Sequence, residues 1–301
     1  MAYQPAPTHD LHGSFDAAPD YSMAAPGMPG MPAFPVMHQP GMPQIVPPGG
    51  IMGLTTPQIF DALHNGIFVK QKFDMLELVT GCNREKKFYV YDHSPNSEAQ
   101  KDSLVYFSCK ESSGCCARNC MTSATKPLYM LIHKGFNASS ANVAPVLTMQ
   151  RPCTCTCWCL NRPNMTVTYT ENGANEFLGK VVDEFSCCDH IYTIRDPTDK
   201  IIFTIQASCC QCGLLCKGPC QSCQRVEFKL FSGHMEKFEG MMVKLGKANI
   251  LKNMLSSADN FSMSWPQITD WRHKALLLAS ILLINFMMFE EKDDERNRKA
   301  N

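Results

Sequence analysis

The sequence predicts a mainly β fold, a closed antiparallel barrel of about twelve strands enclosing a hydrophobic C-terminal helix. Three observations carry this expectation. Short runs rich in Val, Ile, Thr, Tyr and Phe recur between residues 67 and 245. Turn residues such as Asp92-His93-Ser94-Pro95, Asn172-Gly173 and Asp196-Pro197 separate them. A single uncharged run, residues 275–289, follows near the C-terminus. Closure is the simplest arrangement for so many short strands, because it removes exposed sheet edges.

Residues 1–57 come first and differ from the rest. They hold 12 of the 20 prolines and 7 of the 19 methionines, with no Cys, Lys or Arg. Such a segment buries too little apolar surface to offset its ordering entropy, so a disordered Pro/Met/Gly-rich arm is expected. It reads as a passive linker or as a ligand for a proline-recognising domain. No PPxY string is present, so a WW-domain partner is not supported.

The globular part is expected over residues 58–291. Thr56-Pro57-Gln58-Ile59 opens a short amphipathic helix with Ile59, Phe60 and Leu63 on one face. The expected strands follow in order: IFVKQKF, KKFYVYD, DSLVYFSC, PLYMLIH, APVLTMQR, MTVTYT, FLGKVVDEF, IYTIRD, KIIFTIQA, RVEFKLF and GMMVKL. After Leu245 the texture turns helical. The tail, residues 292–301, is a solvated charge run.

The run at 275–289 is a membrane span or a helix buried in protein. Crossing the hydrocarbon takes about 20 apolar residues. Arg272, His273 and Lys274 precede the run, and Glu290 and Glu291 follow it. Trp271 and the basic residues suit a span with its N-terminal side cytosolic. Length favours the alternative, a helix apolar on every face because the barrel surrounds it. Asn285 would need a partner inside a membrane.

Cysteine is the compositional outlier, at 17 residues. The N-terminus shows no basic start or apolar run of a signal peptide, so a reducing compartment is expected, where disulfides rarely persist. Three clusters stand out: Cys115, Cys116 and Cys120; Cys153, Cys155, Cys157 and Cys159; and Cys209, Cys210, Cys212, Cys216, Cys220 and Cys223. The alternating second cluster suits S-acylation at a membrane surface beside Trp158 and Leu160, where two acyl chains give stable anchoring. It also reads as buried small hydrophobes, and less well as metal ligands, since alternate thiolates on one strand face do not converge tetrahedrally. The third cluster stays open between structure and metal.

Charge excludes other classes. With 28 basic and 28 acidic residues the chain has no surplus for nucleic acid. No GxSxG, HExxH or GxxxxGK[ST] string occurs, so an enzyme or nucleotide-driven pump is not expected.

Six colinear strings resemble the phospholipid scramblases: LELVTGCNREKKFYVYD, GCCARNC with the following KPLYMLI, RPCTCTCWC, GPCQSCQRVEFKL, SADNFSMSWP and ALLLASILLINFMMFEE. The resemblance implies a tubby-like fold, twelve strands around a central C-terminal helix. It implies ATP-independent, bidirectional movement of phospholipids between leaflets, calcium-stimulated in the family. The other reading is a membrane-tethered adaptor that binds lipid or protein without transport. The resemblance also implies palmitate on Cys153, Cys155, Cys157 and Cys159, membrane phospholipids as partners, and a domain on the cytosolic face, at the plasma membrane or another; one short helix forms no polar groove alone, so transport is expected from a homo-oligomer or from a thinned bilayer. Asp259, Asn260 and Asp270 match the family's calcium segment, but Ser257 and Ile268 stand where that segment is acidic. Two carboxylates make a poor calcium site, so weak or absent calcium binding is expected.

Overall fold

The computed structural model describes residues 50–72, 85–93, 104–114, 121, 125–136, 143–154, 160–171, 173–215, 223, 225–245, 260–265 and 267–290. A 3-10 turn at Ile51–Gly53 leads into helix α1 (Thr56–Ala62). Twelve strands follow: β1 (Gly66–Lys72), β2 (Lys87–Asp92), β3 (Phe107–Glu111), β4 (Leu128–Lys134), β5 (Leu147–Arg151), β6 (Asn164–Tyr169), β7 (Glu176–Glu184), β8 (Asp189–Arg195), β9 (Ile201–Ser208), β10 (Arg225–Ser232), β11 (Lys237–Leu245) and β12 (Asn260–Ser264). A short helix α2 (Cys212–Leu215) lies between β9 and β10. Helix α3 (Trp271–Ile284) continues as one π-helical segment, Asn285–Phe289.

Each strand pairs antiparallel with its sequence neighbours, and β12 pairs with β1, so the sheet closes into the expected twelve-stranded barrel. The seam is set in register by Val69 opposite Phe261 and Ile67 opposite Met263. Alternation makes the strands. In β4, Leu128, Met130 and Ile132 point inward while Tyr129 faces out; in β10, Val226, Phe228 and Leu230 do the same. At Gly66 the backbone runs at φ 144°, and a Cβ there would collide with the Met263 carbonyl oxygen. Glycine therefore lets the first and last strands meet.

Helix α3 fills the lumen. Residues Lys274 to Ile284 are buried without interruption, so every face of the helix is apolar because strands surround it on all sides. Each buried Leu or Ile here contributes roughly 1.5–3 kcal/mol of transfer free energy. Phe286 meets Phe88, and Phe289 lies between Phe228 and Phe261, with ring centroids 5.8–6.4 Å apart.

The helix starts earlier than the uncharged run suggests. Asp270 caps it by accepting from the Arg272 N–H at 2.9 Å, which brings Trp271, Arg272 and His273 into the first turn. The apolar helix is therefore 19 residues long, Trp271–Phe289, and length does not exclude a span. In this structure 78% of its most apolar stretch is buried.

Helix α1 closes one end of the barrel, the capped end. Thr55 and Gln58 form a reciprocal capping box at its start. At its end, Lys274 Nζ donates to the Phe60 and Leu63 carbonyls at 2.8 and 3.1 Å, and Trp265 Nε1 also donates to Leu63 O at 3.1 Å. Glu171 accepts from the Thr56 N–H at 2.9 Å and pairs with Lys134, which also reaches Leu54 O. The Pro/Met/Gly-rich arm expected over residues 1–57 lies outside the described residues up to residue 49, and Ile51 already packs into the core.

Candidate functional site

The strand order sorts the cysteines. The connections β1–β2, β3–β4, β5–β6, β7–β8, β9–β10 and β11–β12 all leave and rejoin the barrel at the end opposite α1. Every cysteine of the 17 except Cys109 falls, in sequence, in one of these connections. Cys109 is in β3, buried, its thiol pushed well above the ordinary range by burial. In an up-and-down barrel, five of the six connections at this end thus carry cysteine in their sequence, from Cys82 to Cys223.

The described thiols at this end face solvent. Cys153, Cys187, Cys188, Cys210 and Cys212 are exposed free cysteines, and Cys209 is half-buried. Cys155, Cys157 and Cys159 lie outside the described residues, as do Cys115, Cys116, Cys120, Cys216 and Cys220. Cys223 is disulfide-bonded, which departs at one site from the expectation of free thiols. Exposed apolar side chains stand among them: Phe185, Leu160 at 66% and Leu215 at 73% exposure. Among the described residues, no three His, Cys, Asp or Glu side chains are grouped to hold a metal ion.

Beneath this rim the core ends in a buried charge cluster. Lys126 Nζ lies 3.1 Å from Glu290 Oε1 and 3.9 Å from Glu111 Oε1. Arg151 donates to the Lys126 carbonyl at 2.8 Å and to Met287 Sδ at 2.8 Å. Two acids balance two bases, which lets charge persist out of water. Burial pushes the Glu290 carboxyl up to about 7 against the pull of Lys126, and pushes Arg151 down to about 10. The cluster fastens the end of the central helix to the ends of β3 and β5 and the start of β4. Asn285, one helical turn earlier, is buried with its Oδ1 accepting no hydrogen bond among the described residues.

Of the calcium candidates, Asn260 and Asp270 stand at opposite ends of the barrel. Asp259 lies outside the described residues. Asn260 opens β12 at the thiol end, where its backbone pairs with Lys70 and Leu245. Asp270 sits at the capped end, past the far terminus of β12, and its carboxylate is engaged by the Arg272 N–H and, at 3.9 Å, by His273. The four steps of β12 alone separate Asn260 from Ser264 by about 13 Å.

The family model described as Scramblase matches residues 49–291, most of the chain. The chain belongs to the scramblase family. Phospholipid scramblase 1 of Rattus norvegicus is 25% identical over 276 residues, covering 89% of this chain and 75% of the relative. Phospholipid scramblase 2 of Bos taurus is 26% identical over 266 residues, covering 85% and 82%. Phospholipid scramblase 4 of Homo sapiens is 26% identical over 275 residues, covering 88% and 76%. No solved structure matches the chain.

Within this scramblase-family chain, two features escape a reading of the sequence. Cys187-Cys188 is a short pair that looks trivial beside the longer clusters, until β7–β8 is seen at the same rim. The Lys126–Glu290 pair joins residues 164 positions apart, and only the charge at Glu290 directly after an apolar run hints at it.

Proposed function

We propose that this protein moves phospholipids between the leaflets of a membrane, in both directions and without ATP, while fatty acids on its thiol end hold it at the bilayer. The single observation that carries the reading is the enclosure of the apolar helix by the barrel of a scramblase-family chain. With that helix committed to the core, the cysteine-bearing rim is the surface left to meet lipid. Palmitate on Cys153, Cys155, Cys157 and Cys159 supplies the tether, since two acyl chains suffice for stable anchoring.

A single enclosed helix builds no polar groove through hydrocarbon, and a headgroup crossing bare hydrocarbon meets a barrier of many kcal/mol. Transport therefore acts through a homo-oligomer or through local thinning of the bilayer under the rim. The domain sits on the cytosolic face, the plasma membrane being one such site, and residues 1–57 recruit a proline-recognising domain.

The test is reconstitution of acylated protein into liposomes carrying a fluorescent phospholipid, followed by dithionite quenching. Transport predicts quenching beyond the outer-leaflet half. Quenching that stops at half removes the transport reading. What then stands is the second one, a tethered lipid- or protein-binding adaptor, which the same enclosed helix favours. Accessibility of residue 301 in intact cells separates both from a span, since a lumenal or extracellular C-terminus contradicts enclosure.

A further inference from the structure

The pairing of Asp189 with Ser208 sets the β7–β8 turn beside the turn that follows β9. The next residues outward are Cys188 and Cys209. The Cys209 and Cys210 sulfurs are 3.6 Å apart. Both turns are held rather than floppy. Ser186 Oγ accepts from the Asp189 N–H at 3.2 Å, and the Gln211 side chain bridges to β10, accepting from the Glu227 N–H and donating to the Glu227 carbonyl, each at 2.8 Å. The thiols of Cys187, Cys188, Cys210 and Cys212 project to solvent from this fixed platform. Phe185 and Leu215, exposed on the same two connections, flank them with apolar surface.

We propose that Cys187, Cys188, Cys210 and Cys212 form a second S-acylation site, which takes long-chain fatty acid in thioester linkage. The inference rests on the tethered reading above but concerns a different arc of the rim. Four thiols beside exposed phenylalanine and leucine are an unfavourable surface in water and a favourable one at a bilayer. A metal is the competing use of clustered thiols, and the described side chains form no group that would hold one. Cys209 is left out of the site. The neighbouring Cys210 thiol, with Cys188 and Asp189 nearby, pushes its pKa up and makes it the poorer nucleophile.

The chemistry is acyl transfer from a long-chain acyl thioester of coenzyme A. The cysteine sulfur attacks the thioester carbonyl, a new sulfur–carbon bond forms, and coenzyme A leaves as its thiol with the cysteine proton. Nothing is oxidised or reduced.

The consequence is orientation. Connections β5–β6, β7–β8 and β9–β10 succeed one another around the barrel, and each step of two strands moves about 10 Å along the rim. Anchors on β5–β6 alone let the barrel lean about them. Anchors on all three connections press one arc of the rim flat against the lipid.

The experiment is site-resolved mapping on the full wild-type chain expressed in cells. Free thiols are first blocked with one alkylating reagent. Hydroxylamine then cleaves thioesters, a heavy reagent labels the released thiols, and mass spectrometry reads each cysteine. The expected result is hydroxylamine-dependent heavy label on at least two of Cys187, Cys188, Cys210 and Cys212. The fourfold variant C187S/C188S/C210S/C212S should then carry at least two fewer acyl groups per chain while melting like the wild type. Label on Cys153–Cys159 with all four turn cysteines in the first, free fraction overturns the inference and leaves the tether intact. Label on neither arc overturns both.

Discussion

Lys126 Nζ and Glu290 Oε1 stand 3.1 Å apart where the central helix reaches the thiol end of the barrel, with both side chains sealed from solvent. The pair joins the start of β4 to the last turn of the core helix, so it latches the helix in place. Its energetics follow from burial. Removing one partner leaves an uncompensated buried charge, at a cost of about 3–5 kcal/mol. Lys126→Met should cost that much in urea unfolding, because it leaves both Glu111 and Glu290 without their common cation.

The same pair gives a pH dependence of unusual sign. Burial raises the folded-state pKa of Glu290 to about 7. The unfolded value is about 4.3. Between those values the folded chain holds a proton that the unfolded chain releases. The contribution of Glu290 is thus fully present at the acid side and is lost as pH rises through the folded value. Glu290→Gln removes that loss. The melting temperature of the variant minus that of the wild type should become more positive from pH 5 to pH 8. A difference that stays flat over this range contradicts the assignment.

Lys274 pins the capped end. Its ammonium donates to two carbonyls at the end of α1, and burial pushes its pKa down. Lys274→Met keeps the apolar stem but leaves the Phe60 carbonyl and one bond to Leu63 unmade. The expected cost is about 1–3 kcal/mol. Hydrogen exchange should accelerate first in α1, with the β6–β8 strands still protected; uniform acceleration would point to a general core defect instead.

The seam between β1 and β12 depends on Gly66. A Cβ at this position would collide with the Met263 carbonyl oxygen in an already left-handed backbone. Gly66→Ala should destabilise by about 1–3 kcal/mol or more. Gly50→Ala, also at positive φ but with open space around it, should lose far less. Equal losses for the two would show that closure does not hinge on that contact.

Calcium should have little direct hold on this chain. Asp270 is used as a helix cap and lies at the opposite barrel end from Asn260. Isothermal titration should show no micromolar site. Asp270→Ala should cost about 1 kcal/mol of stability through the lost cap, equally with and without calcium. Micromolar binding that disappears in Asp259→Ala would reverse this expectation.

Most of the barrel is legible locally, because alternation is a property of neighbouring residues. RVEFKLF announces Val226, Phe228 and Leu230 as inward-facing without knowledge of any partner. The closing strand is harder. NFSMS has the same alternation, with Phe261 and Met263 buried, but its outward positions are Asn and Ser, and it reads as part of a polar turn. The thiol end was visible as three clusters but not as one place, since convergence of distant loops depends on strand order. The Glu111–Lys126–Arg151–Glu290 cluster had no local signature beyond the charge of Glu290 directly after an apolar run, because charged residues at strand ends are ordinary until the strands are assembled.

Closure by the first and last strands also orders events in time. During synthesis, at roughly 5–20 residues per second, β1 to β11 are made before β12 and α3. For that interval the nascent sheet has two unpaired edges and an unfilled apolar inner face. The barrel therefore cannot acquire its core until both β12 and α3 have been made.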